Sequence, residues 1–200
     1  MSWFLAVDDF ARETPWLHGP MLAFAKYGIV LFAALLVLSW WLARRDPDPR
    51  SMAAALWAPI GALVAIGLNQ PLSRLVHAPR PYTVFPHAYV LVARSHDYSF
   101  PSDHAVMAGA VAAGVWLAHR RLGWLTVGTV IAAVVMAFAR VYVGAHFPRD
   151  VVAGVAFGAV VTVLGFVVVG RLVVAMTSGL LATPVRPLLT SEPKVAHATE

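Results

Sequence analysis

Two short segments hold most of the side chains in this sequence that could do chemistry on a ligand. The first is Phe100-Pro101-Ser102-Asp103-His104. The second runs Arg140-Val-Tyr-Val-Gly-Ala-His146-Phe-Pro-Arg-Asp150. Pro101-Ser102 and Phe147-Pro148 each precede an apolar run, and proline suits a first helical turn because its missing N–H is no loss there. Ser102 stands where an N-cap would. Two helix N-termini brought together point unsatisfied N–H groups and positive dipole ends at one spot, which makes an anion site before any side chain is added. Arg80, Arg140 and Arg74 add fork-shaped, charge-assisted donors suited to phosphate oxygens. Two histidines beside a phosphate divide the work: one attacks phosphorus and the other protonates the departing oxygen. Asp150, four residues after His146, can hold one imidazole N–H and leave the other ring nitrogen as nucleophile. His104 is then the general acid. The arginines and helix-end amides would stabilise charge developing on the equatorial oxygens.

Such groups need rigid elements to carry them, and composition says which. The chain has 200 residues, 60% hydrophobic and 12% charged, with a mean hydropathy of +0.72. These values lie outside the range of a water-soluble globular domain and point to an integral membrane protein. The expected fold is all-α: a polytopic membrane helical bundle of five transmembrane helices, plus an amino-terminal helix that lies in the interface or adds a sixth span. Apolar runs place the spans at about 27–43, 52–68, 104–118, 122–139 and 151–170, the last able to continue as helix to Leu181. Pro59 and Gly61 suggest a kink in the second. Gly109, Gly114, Gly154 and Gly158 let helix backbones approach closely. Residues 1–182 read as one membrane domain, and 183–200, rich in Pro, Thr and polar residues, as a disordered cytoplasmic tail.

Parity gathers the chemistry on one face. With five spans, the 69–99 loop, the start of span three, the end of span four and the start of span five share a side, whichever way the protein inserts. Arg44, Arg45, Arg50, Arg120, Arg121 and Arg171 mark the opposite side as cytoplasmic. The reactive face is therefore expected at the periplasmic or extracellular surface of the cell membrane. The 69–99 loop interleaves His77, His87 and His96 with arginines and tyrosines. It reads as an interfacial lid or, more plainly, as an aromatic belt.

Other classes fit less well. The net charge is +5, but Lys and Arg are scattered singly or in pairs with no basic stripe, so no nucleic-acid partner is expected. The chain has no Cys, which removes disulfide and thiolate chemistry. Residues 1–18, with Asp8, Asp9 and Glu13, lack the pattern of a cleavable signal peptide.

The segments resemble the type 2 phosphatidic acid phosphatase (PAP2) superfamily, whose signatures are roughly Lys-x6-Arg-Pro, Pro-Ser-Gly-His and Ser-Arg-x5-His-x3-Asp. They appear here as Arg74-x5-Arg80-Pro81, Pro101-Ser102-Asp103-His104 and Ala139-Arg140-x5-His146-x3-Asp150. The resemblance implies that His146 is the nucleophile forming a phosphohistidine, Asp150 its orienting partner and His104 the acid. It also implies that Arg80, Arg140 and Ser102 bind phosphate, without metal or cofactor. The family lysine would fall at Ser73, one residue before Arg74, and Ala139 replaces the family serine. Asp103 replaces the family glycine, a form that resembles bacterial undecaprenyl-diphosphate phosphatases of the bacitracin-resistance type. Asp103 is counted with the phosphate site, where an acid needs an arginine partner or solvent.

Taken singly, His104 suits a capping histidine and Asp150 a first-turn acid. Two rival functions stay open. One is a metal-dependent hydrolase with His104, His146 and Asp150 as ligands. The other is a lipid-phosphate binding or transport protein that turns nothing over. The preferred substrate is undecaprenyl diphosphate, with phosphatidic acid, phosphatidylglycerol phosphate and other lipid phosphates as alternatives.

Overall fold

Proline opens several of the helices, where its missing N–H leaves no bond unmade. The computed structural model describes residues 2–120 and 123–191. Arg121, part of the expected cytoplasmic charge, Leu122, the expected start of span four, and tail residues 192–200 lie outside the described residues. In chain order the helices are α1 (Ser2–Glu13), α2 (Pro15–Ala43), α3 (Pro49–Val76), α4 (Pro81–Val84), α5 (Asp103–Ala118), α6 (Trp124–Tyr142), α7 (Pro148–Leu180) and α8 (Arg186–Leu189). Helices α2, α6 and α7, and α3 with the short α4 that follows it, are long and apolar enough to cross a membrane. The chain is a multi-pass membrane helical bundle.

Helix α5 is the axis. It has 16 residues, about 24 Å at 1.5 Å per residue, and all but Asp103, His104 and Trp116 are buried. Helices α3 and α7 flank it, and α2 and α6 complete the surround. Glycines make this closeness possible. A Cβ on Gly154 would lie 2.9 Å from the Ser102 carbonyl oxygen, one on Gly109 2.7 Å from Val155 Cα, and one on Gly114 2.9 Å from Ala58 Cα. The small-residue stripes therefore serve packing, as van der Waals contact between helices in lipid requires.

Several boundaries differ from those the sequence suggested. Helix α3 runs unbroken through Pro59 and Pro71 to Val76, so the loop expected from residue 69 starts only at His77. There a left-handed residue, φ 53°, closes the helix with its N–H on the Ser73 carbonyl. Polar side chains such as Asn69 and Gln70 do not break a helix; they only change its surroundings. Helix α2 begins at Pro15, well before the apolar run proper. Within the expected tail, the described residues include α8 (Arg186–Leu189) and contacts back to the bundle. Leu189 is buried against Ala43, Met52 and Phe166, Trp40 Nε1 donates to the Leu188 carbonyl at 3.0 Å, and Ser191 N–H donates to the Arg44 carbonyl at 2.8 Å. These bonds give the polar stretch the order that its composition lacks.

Helix α1 has 12 residues, about 18 Å of helix, too short to cross a bilayer on its own. Phe4 is buried and packs against Phe85 and Phe147, with ring centroids 5.8 and 5.3 Å away. Asp8 accepts from the Tyr89 N–H at 2.6 Å and from Arg12 Nε at 3.0 Å. This helix thus pins the long loop against the segment that carries His146.

Candidate active site

The long loop, the start of α5, the end of α6 and the α6–α7 turn meet at one end of the bundle, around a cavity of about 800 Å³. His146, His104, Arg80, Arg140, Arg74 and Asp103 all line it. Residues far apart in the chain are brought to one chamber because each lies at or beside a helix end on the same side of the bundle.

His146 sits in the turn between α6 and α7 and is 3% exposed. Its Nδ1 lies 2.8 Å from the Ser99 carbonyl oxygen, and its Nε2 lies 3.3 Å from Arg80 Nη1. A carbonyl can only accept and a guanidinium can only donate. Both partners therefore demand the same tautomer, with the proton on Nδ1 and the lone pair on Nε2. Burial, and next the nearby Arg140 and Arg80 cations, hold the imidazole well below its ordinary pKa of 6.5. The ring is neutral, with its nucleophilic nitrogen turned toward an arginine in the chamber.

Asp150 does not hold this ring directly. Its Oδ2 is 3.9 Å from His146 Nδ1, beyond hydrogen-bond reach. That oxygen instead accepts from the Ser99 hydroxyl and, at 2.9 Å, from the Phe147 N–H. Arg149 Nε approaches Oδ1 at 3.5 Å. Ser99 therefore stands between acid and imidazole, giving its carbonyl to one and its hydroxyl to the other. It is wholly buried, and its own N–H is fixed to the Ala78 carbonyl at 2.9 Å.

Arg80 is held by two carbonyls, donating Nε to Asp97 and Nη1 to Ala145, each at 3.1 Å. Arg140 donates Nη1 to the Ala25 carbonyl of α2 at 3.3 Å, and its buried Nε has no partner among the described residues. Unpaired donors on two buried or half-buried guanidiniums suit an anion.

Two expected phosphate ligands stand differently. Asp103 Oδ1 accepts from Asn69 Nδ2 at 2.7 Å and Gln70 Nε2 at 3.1 Å, bonds that tie the start of α5 to α3. Ser102 occupies the N-cap position of α5 but makes no side-chain cap bond. Its Oγ is buried without a partner among the described residues, between Pro101 and Asp103, which line the cavity. Ser73 also lines the chamber, with two residues that sequence reasoning did not count in the site, Gln70 and, from α2, Lys26. Among the described residues no cluster of three or more His, Asp or Glu has metal-ligand spacing.

A helical membrane bundle with paired histidines in an arginine-lined chamber has the architecture of a membrane phosphatase. The chain belongs to the PAP2 superfamily, whose profile matches residues 54–173, and it is a hydrolase of phosphate esters. It is similar to the undecaprenyl-diphosphatase BcrC of Bacillus subtilis, 26% identical over 82% of this chain and 80% of that one. It is also similar to a Bacillus licheniformis protein named bacitracin transport permease protein BcrC, 28% identical over 78% of this chain and 73% of that one. Among solved structures, Aquifex aeolicus LpxE superposes with a TM-score of 0.65 at 23% identity, covering 82% of this chain and 93% of that one.

Proposed function

We propose that the protein removes the terminal phosphate of a polyprenyl diphosphate, with undecaprenyl diphosphate giving the monophosphate and inorganic phosphate. Five helices cross the bilayer, α1 lies in the interface, and the chamber faces the periplasm or the cell exterior. The lipid enters laterally from the outer leaflet. Nε2 of His146 attacks the terminal phosphorus, the bond from phosphorus to the bridging oxygen breaks, and His104 gives that oxygen a proton. Water then attacks the phosphohistidine, His104 takes its proton, and phosphate leaves with His146 restored. Arg80 and Arg140 hold the transferring oxygens. Ser99 keeps the proton on Nδ1, and Asp150 acts on the ring through Ser99.

The observation that carries this reading is the tautomer of His146, set by the Ser99 carbonyl and Arg80, in the chamber that His104 also lines. The substrate reading draws on the BcrC relative's name. The alternative substrates are other lipid phosphates, phosphatidic acid and phosphatidylglycerol phosphate among them.

Phosphate release by purified protein from undecaprenyl diphosphate and from phosphatidic acid separates these. Wild type should release phosphate from the diphosphate in EDTA and be blocked by vanadate, a mimic of five-coordinate phosphorus. His146→Ala should lose about 1,000-fold or more in kcat while lipid binding stays within a few fold. Undiminished turnover in His146→Ala removes the covalent mechanism, and loss of activity in EDTA with rescue by a divalent metal favours metal-assisted hydrolysis.

A further inference from the structure

Lys26 lies outside the family match, which begins at residue 54, yet it lines the same chamber as Arg74, Arg80, Arg140 and the histidines. It stands about 16 Å along α2 from Pro15, at 1.5 Å per residue. It stands just ahead of the apolar run at 27–43, exposed, where a long ammonium side chain reaches polar surroundings, the chamber among them. Among the described residues no carboxylate pairs with it; its close contact is the Tyr27 ring, 5.1 Å from Nζ to centroid. The backbone beside it is held, because Arg140 Nη1 donates to the carbonyl of Ala25, the residue before it. Ser73, where the family places a lysine, lines the chamber too. Lys26 thus adds a cation from α2 to a chamber whose α3 wall already carries Arg74. Arg80 and Arg140 offer donors to a phosphoryl group, and a further cation matches the additional negative charge of a diphosphate.

We propose that Lys26 binds the phosphate that stays with the lipid, and so selects diphosphates over monophosphates. This rests on the chamber being the reaction site described above. As the bridging oxygen gains charge, an ammonium near the departing phosphate stabilises it.

The test compares kcat/KM for undecaprenyl diphosphate and phosphatidic acid in wild type, Lys26→Gln and Lys26→Arg, with Tm in detergent to show folding. The ratio of diphosphate to monophosphate kcat/KM should fall about 10- to 100-fold in Lys26→Gln, the range of one charge-assisted bond, and recover largely in Lys26→Arg. Inhibition should follow: pyrophosphate should lose more potency than orthophosphate in Lys26→Gln. An unchanged ratio, or equal losses on both lipids, overturns the role of Lys26 and leaves the phosphatase reading intact. Wild type that hydrolyses phosphatidic acid but not the diphosphate overturns the substrate reading and this inference together.

Discussion

The proton on Nδ1 of His146 has two acceptors within view, and distance chooses the Ser99 carbonyl at 2.8 Å over the Asp150 carboxylate at 3.9 Å. Ser99→Ala keeps that carbonyl and removes the hydroxyl from Asp150 Oδ2, which then retains the Phe147 N–H alone. A buried acceptor stripped of one donor costs about 1–3 kcal/mol, so a lower Tm and a kcat reduced about 10-fold are expected; full activity would show that the relay is idle. The imidazole also makes a pH prediction. Above pH 6.5 neither folded nor unfolded chain protonates this ring. Below it the unfolded chain takes up a proton that the folded one resists, so stability falls as pH drops, by up to about 1.4 kcal/mol per unit. The excess of wild-type Tm over that of His146→Gln should therefore shrink from pH 7 to pH 5, with other histidines cancelling in the difference. A gap that stays constant contradicts the lowered pKa. Nothing in the amino-acid string marks Ser99, because a main-chain acceptor carries no residue signature, whereas Arg80, Arg140 and the histidines announce themselves by type and spacing.

Helices α5 and α7 meet through glycine, and the contact sets how deeply His104 and His146 can converge. Gly158 faces the Val106 carbonyl, where a Cβ would come within 2.8 Å of the carbonyl carbon. Gly158→Val should cost about 3 kcal/mol by overpacking, which for a chain of this size lowers Tm by roughly 6–12 °C. Gly128→Ala in α6 provides the control, since nothing lies within 4 Å of its added methyl; it should raise Tm slightly through helix propensity. A similar Tm for both variants would mean that the α5–α7 approach is looser than described. The small-residue spacing was visible in the sequence, but the partner of each glycine was not, since periodicity gives a face and not its neighbour.

At the scale of the molecule, the bundle places its chemistry at one end and docks Leu189 against the other, near Ala43 and Met52. The chain has no native cysteine, so single cysteines can map the faces. An impermeant maleimide on intact cells should label Ala93→Cys, in the exposed loop by the chamber, and spare Asp48→Cys, in the α2–α3 turn. The reverse pattern, or equal labelling, defeats the outward orientation. Hydropathy, proline placement and motif spacing determined by themselves that the chain is a helical membrane protein. By the parity of its spans they also placed the histidines and arginines at one end, because these signals are local and survive any arrangement of the helices. Only the tertiary structure decided that Asp150 reaches His146 through Ser99, that Asp103 turns to Asn69 and Gln70, that the Ser102 hydroxyl is buried without a partner among the described residues, and that Lys26 lines the chamber. Each of those facts depends on how backbones distant in sequence are aligned to within an ångström or two, and hydrogen bonds, unlike hydrophobic burial, change partner over that distance.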